Sequence, residues 1–466
     1  MGRKLTRRSF LLVAGGTMGT ALLAACGGEE AATTPGGTAS GGSTASTGGA
    51  TVPATTRTTT SAGSSGTATR IVFWSSWGGS NGQAVQKLVD DFNSSQSDII
   101  VENQFQGTYE ETAQKLATAL TANQAPDLVV LSEVTWNRFY LNQTLQDLDG
   151  YFQQASFDPS DYVDPLINEG TRNGKIWWVP FARSTPLFYY NRDLFRAAGL
   201  PDRGPSTWDE LAEWGPDLMQ AGGENTKAFA FTTAKNYSAW YFHGNVWQWN
   251  GHYSDGLDIL IAEPNPIAAG EWVRRFIHEQ GMGYMAEDQS VDFVNQLCAT
   301  TMQSTGSLGG ITEAATFEVG TAFLPEQEQF GCPTGGSGLA IPNTVPEERK
   351  QAAVEFIKFL ARPENVVFWS TTSGYMPVTK SARESAEMQQ YFQKNPNFKV
   401  AVDQLPKTQA QEAARLIVPN GDQTIGTGLE RIFVRNEPAE TVFQDVARQL
   451  EQDAGDIRDQ VEAVGL

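Results

Sequence analysis

The sequence predicts an α/β fold, and three observations carry the prediction. Short apolar strands recur at Ile71–Trp74, Ile99–Val101 and Leu128–Leu131. The segments between them place apolar residues at helical spacing: Val85, Leu88, Val89 and Phe92 in the first, then Ala113, Leu116, Ala117 and Leu120 in the second. Turn-forming stretches, SSWGGSNG and NQAPD, separate the elements. Strand, helix, strand, helix, strand is the order of a parallel sheet covered by helices.

Ligands of such sheets sit outside the carboxyl ends of the strands. That rule singles out Trp74 to Trp77 after the first strand, Tyr109 in the QGTYEE turn, and Ser132–Glu133 after the third. Further along, NGKIWWVPFARSTPLFYYNRD packs clusters of aromatics around Pro180 and Pro186, which an ordinary central strand excludes. Ser206-Thr207-Trp208-Asp209-Glu210-Leu211 reads as a helix start with Ser206 or Thr207 as its cap. Trp240, Trp247 and Trp249 form a second aromatic cluster. Cys298 to Ser304 reads as a strand entering a Gly/Ser turn, and Thr334–Gly338 as another turn. Helical pattern returns at Ala352–Leu360, broken at Pro363, and again near 436–460.

The ends of the chain are of a different kind. Arg3, Lys4, Arg7 and Arg8 precede an apolar, small-residue run from Phe10 to Ala25, the layout of an export signal. TRRSFL is similar to a twin-arginine signal, although export by the general route has the same charge layout. Leu23-Ala24-Ala25-Cys26 resembles a bacterial lipobox, in which Cys26 is lipidated and becomes the mature N-terminus. Residues 27–69 are nearly all Gly, Ser, Thr, Ala and Pro, too polar to build a core, and are expected to form a disordered tether. A flexible chain of about 43 residues has a root-mean-square reach of about 35–40 Å.

Composition then narrows the class. The net charge of −20 includes the four cations of the leader, so the folded part is more acidic still. That argues against nucleic acid or anionic lipid as a partner. With Cys26 assigned to lipid, Cys298 and Cys332 are left as either a disulfide pair or two buried thiols. No phosphate-loop, HExxH or CxxC pattern is present in the folded part. The three histidines, His243, His252 and His278, lack metal-ligand spacing, and Asp91-Asn93-Ser95…Glu102 lacks the glycine of a calcium loop. The expectation is therefore no metal, no cofactor and no catalytic set.

Nine segments in order carry a resemblance: FWSSWGG, DDFNSSQ, GTYEETAQKL, NQAPDLVVLSEV, PFARSTPLFYYNRDLFRAAGL, STWDEL, STGSL, FIKFLARPENVVFW and SGYMPVTKSA. Across residues 70–460 the chain resembles the family 1 extracellular solute-binding proteins of bacterial ABC importers, most nearly the glycerol-3-phosphate-binding type and its oligosaccharide-binding relatives. The resemblance implies a two-lobed periplasmic-binding-protein fold of type II kind. Each lobe is a mixed sheet flanked by helices, and a hinge of crossing segments joins them. It divides the chain into lobe 1, residues 70–183 plus about 334–373, and lobe 2, residues 184–333 plus about 374–466. PFARSTPLFYYN becomes the first crossing between lobes.

Carried over by position, the resemblance implies Tyr109, Glu133, Ser184, Trp208, Ser304, Gly336 and Tyr375 as ligand contacts; Trp74 and Trp249 are added from the aromatic clusters. Where the phosphate-binding members carry an Arg late in the chain, the stretch ARLIVPNGDQTIGTGLERIF places Asp422, and Arg183, Arg415 and Arg431 match by no position. An Asp repels phosphate, so a sugar or polyol stands beside a polyol phosphate as ligand class. The implied protein is a monomeric lipoprotein outside the cytoplasmic membrane, delivering its ligand to membrane permease subunits and their cytoplasmic ATPase. A secreted carbohydrate-active hydrolase and a ligand-presenting sensor are the alternatives.

Overall fold

The computed structural model describes residues 68–465; the signal, Cys26 and the tether up to residue 67 lie outside the described residues. The predicted alternation is present: β1 (Thr69–Ser75), α1 (Gly79–Ser95), β2 (Ile99–Phe105), α2 (Tyr109–Thr121), β3 (Leu128–Ser132) and α3 (Thr135–Leu141) follow one another. The chain continues through β4 (Val179–Ser184), β5 (Pro186–Asn191), α4 (Trp208–Gly222), β6 (Lys227–Thr232), α5 (Ser238–Gln248), α6 (Pro264–His278), β7 (Gly283–Ala286), β8 (Cys298–Ser304), β9 (Val319–Ala322) and β10 (Gly335–Ala340). Helices α7 (Glu347–Leu360), α8 (Pro363–Ser373), α9 (Ala413–Leu416), α10 (Gly421–Phe433) and α11 (Ala439–Ala463) complete the main elements.

Two five-stranded sheets result. The first has the order β2-β1-β3-β10-β4, with β1 parallel to β2 and β3 and β10 antiparallel to both neighbours. The second has the order β7-β6-β8-β5-β9, parallel along β7-β6-β8 and antiparallel beyond. Only Thr185 separates β4, an edge strand of the first sheet, from β5 in the second. The aromatic run thus passes straight from one lobe to the other, and its prolines have places there. Pro180 lies on an edge strand and Pro186 opens β5, the positions where a missing N–H is tolerated. Phe188, Tyr189 and Tyr190 are buried in the second lobe.

A second crossing joins β9 to β10. Here the sequence reading needs correction: Thr334–Gly338 is not a turn, because Gly335–Ala340 forms a strand between β3 and β4. Its glycines are set by crowding. A Cβ on Gly336 falls 2.0 Å from the Ala182 carbonyl oxygen, and one on Gly338 falls 2.1 Å from that of Val179. Pro363 does not merely end α7; it is the first residue of α8, where its lost N–H is not needed. Beyond Tyr375 the chain crosses again, and helices between 380 and 404 lie over the seam, packing on α8 at one end and β9 at the other.

Candidate functional site

The carboxyl ends of β1 and β3 converge with the third crossing. Trp77 follows β1, and its Nε1 donates to the hydroxyls of Tyr109 (3.2 Å) and Tyr375 (3.4 Å), which stand 3.3 Å apart. Tyr109 opens α2, held by a capping box in which Thr108 and Glu111 exchange side-chain and backbone hydrogen bonds. The Tyr375 ring stacks on Trp369 at 5.6 Å, and Trp369 stacks on Phe181 at 5.0 Å. This aromatic floor presents two phenols, both held protonated far above neutrality by burial.

Glu133 follows β3, its N–H bonded to the Gly336 carbonyl at 3.1 Å. Its carboxylate accepts from Arg415 Nη1 at 3.1 Å, and Arg415 Nε donates to Asp422 Oδ1 at 2.6 Å. Nη1 also donates to Gln411. The Arg415 side chain is 1 % exposed and that of Glu133 7 %, so the bridge is shut away from water. Burial pushes the Glu133 pKa up despite Arg415 and Arg183 beside it. Burial disfavours the Arg415 charge, but Asp422 and Glu133 together raise its pKa. Since Glu133 belongs to the first lobe and α9 packs with α10 in the second, the pair clasps the lobes together.

Ser184 ends β4 opposite Gly335. Ser304 ends β8, its Oγ accepting from the Gly306 N–H at 3.1 Å, and a Cβ on Gly306 falls 2.4 Å from the Tyr375 ring. Gly336 has φ 99°, open to glycine and crowded against Ala182. The structure therefore brings Tyr109, Glu133, Ser184, Ser304, Gly336, Tyr375 and Asp422 to one seam between the lobes.

It does not bring three expected residues there. Trp74 points to the other face of β1, where its Nε1 donates to Gln104 Oε1 at 3.1 Å; three residues on, Trp77 fills the cleft place. Trp208 is fully buried, packed edge-on against Phe229 and Trp272, with its Nε1 on Gln248 at 2.6 Å. Trp249 packs on Trp272 at 5.9 Å, on the same lobe-2 core. Asp422 also has a different role from the one expected: it is the partner of Arg415, and Arg415 is the cleft arginine. Cys298 and Cys332 are free, buried thiols, so the disulfide alternative is set aside.

Tyr237 was missed. It sits between β6 and α5 with φ 67°, a left-handed conformation that is strained for a bulky residue. The turn before it, Ala234–Asn236, packs on α10, the helix that carries Asp422, and burial, then the carboxylates of Asp422 and Glu133, push its phenol pKa up. Nothing in AKNYSAW announces that backbone, because the conformation is imposed by packing. Among the described residues no group of acids, histidines and cysteines could hold a metal ion.

This geometry, two α/β lobes joined by strand crossings around a polar and aromatic seam, is that of a hinged solute-binding protein. The chain belongs to the bacterial extracellular solute-binding protein family, whose model matches residues 87–400. It is 30 % identical to the sn-glycerol-3-phosphate-binding periplasmic protein UgpB of Pectobacterium atrosepticum, over 72 % of this chain and 80 % of that protein. The crystal structure of UgpB from Mycobacterium tuberculosis in complex with glycerophosphocholine superposes with a TM-score of 0.79 at 40 % identity, covering 82 % of this chain and 98 % of that one. Maltose-bound MalE3 of T. maritima shares the fold, with a TM-score of 0.73 at 22 % identity over 83 % of this chain and all of the other. The family is one of extracytoplasmic binding proteins serving ABC importers.

Proposed function

We propose that this chain captures a glycerophosphodiester bearing a cationic head group, of the glycerophosphocholine kind, by closing its lobes around it. The observation that carries the reading is the buried bridge Glu133–Arg415–Asp422. Among the described residues Arg415 Nη2 has no acceptor, leaving a donor for a phosphate oxygen. Two carboxylates against one guanidinium leave the unliganded bridge with an excess of negative charge, if Glu133 is ionised. A phosphate monoester adds up to two more negative charges to a site closed to water, whereas a zwitterionic diester adds none. Glycerol hydroxyls suit Glu133 and the phenols of Tyr109 and Tyr375. The relative solved with glycerophosphocholine supports the same class.

Binding followed by hinge closure, with no covalent step, is the mechanism. Cys26 anchors the monomeric protein to the outer face of the membrane, and the closed form is the one presented to the permease. Calorimetric titration tests the ligand: glycerophosphocholine is expected to bind at micromolar strength, about −8 kcal/mol, and more tightly than glycerol-3-phosphate. Heat from mono- to tetrasaccharides alone sinks the reading in favour of a neutral sugar.

A further inference from the structure

Arg415 stands on α9, a helix of one turn, and a single turn holds no fixed place by its own hydrogen bonds. Something else must fix it. The residue before α9, Glu412, is at the position where a side chain ordinarily caps the helix, yet it makes no such bond. Its carboxylate reaches instead into the segment 247–254. It accepts from Trp247 Nε1 at 2.6 Å, the Tyr253 N–H at 2.5 Å and the Ser254 N–H at 3.0 Å, and pairs with His252 Nδ1 at 2.7 Å. The His243 ring, stacked between Trp247 and Tyr253 at 4.0 and 4.3 Å, lies 3.2 Å away but is not aligned for a hydrogen bond. The clamp is reciprocal, because Ser254 Oγ accepts from the Ala414 N–H at 2.9 Å. On the far side, Gly421 lets α10 approach so closely that a Cβ there falls 1.8 Å from the Ala414 carbonyl oxygen, which sets Asp422 beside Arg415.

We propose that Glu412 is a positioning residue for anion recognition: it pins α9 to the 247–254 segment and so holds the Arg415 guanidinium at the seam. This rests on the function proposed above, in which Arg415 meets the ligand phosphate. Glu412 itself touches no ligand. Loss of its second acceptor oxygen leaves buried N–H groups unpaired and releases α9.

The test is a double-mutant cycle on the full chain, read by titration with glycerophosphocholine. Glu412→Gln is expected to weaken binding about tenfold and Arg415→Met more. Adding Glu412→Gln to Arg415→Met should cost less than a further twofold, since the residue acts only through Arg415. Unchanged affinity in Glu412→Gln, or losses that multiply in the double variant, overturns the proposal. If Glu412→Gln does not fold, His252→Ala, which removes one half-exposed partner, takes its place in the cycle with an expected loss of about threefold. The Arg415 Nε–H resonance, identified by its loss in Arg415→Met, should shift in Glu412→Gln without any ligand; a fixed resonance overturns the proposal. If the wild-type chain ignores glycerophosphocholine, the proposed function fails and the resonance alone decides this inference.

Discussion

Asp422 shows how one residue misleads when its neighbours in space are unknown. Read along the chain it is a carboxylate where a phosphate site needs a cation; in the fold it is the counter-charge of Arg415, at 2.6 Å. Replacing it separates the two readings. Asp422→Asn should tighten a phosphodiester by roughly tenfold, because one carboxylate no longer competes for the guanidinium; titration checks this, and weaker binding would mean that Asp422 holds Arg415 in place. Gly336 is a plainer case. With φ 99° and a Cβ 2.0 Å from a carbonyl, Gly336→Ala should destabilise the protein by at least about 1–3 kcal/mol in urea unfolding. The thiols give a third residue-scale outcome. Cys298 and Cys332 are fully buried with pKa values pushed up by burial, so alkylation without reductant should label both in denaturant and neither in the native state.

At the scale of elements, periodicity located α1, α2 and the strands between them because each has one face to bury. It failed at β10, whose GGSGLA has no alternation to read. Those glycines report close approach of β4 across the sheet rather than a turn. Helix α4 separates core from contact: Trp208 is its first residue and packs inward on Phe229 and Trp272. Trp208→Ala should therefore cost about 3–5 kcal/mol of stability, and Trp208→Phe should leave ligand affinity within about twofold of the wild type. A large affinity loss in a well-folded Trp208→Phe variant would return Trp208 to the cleft.

Over the whole molecule, acid should loosen the second lobe first. Burial works against a charged Glu412, but the donors it accepts from, Trp247 and His252 among them, hold its pKa down to about 2. Burial also lowers the His243 pKa, against the pull of Glu412. An unfolded chain protonates His243 from about pH 6.5 and Glu412 from about pH 4.3, so both groups withdraw stability as pH falls. Glu133 runs the other way: its raised pKa favours the fold at low pH and costs stability as pH rises through it. Urea unfolding of the wild type and Glu412→Gln at pH 3, 5 and 7 should show curves that converge on acidification, since the lost carboxylate matters only where it is ionised. A constant gap would assign the loss to packing.

The sequence by itself determined the α/β class and, at the strand ends, Tyr109 and Glu133, because strands and turns are encoded locally; the crossing at PFARSTPLFYYN and Ser184, Ser304, Gly336 and Tyr375 followed only from the family resemblance. The tertiary structure decided the rest. Which face Trp74 and Trp77 take, whether Trp208 is core or contact, and which arginine enters the cleft all depend on long-range packing. Arg415 meets Glu133 across 282 positions of chain, and no local pattern records a pairing that exists only when two lobes close.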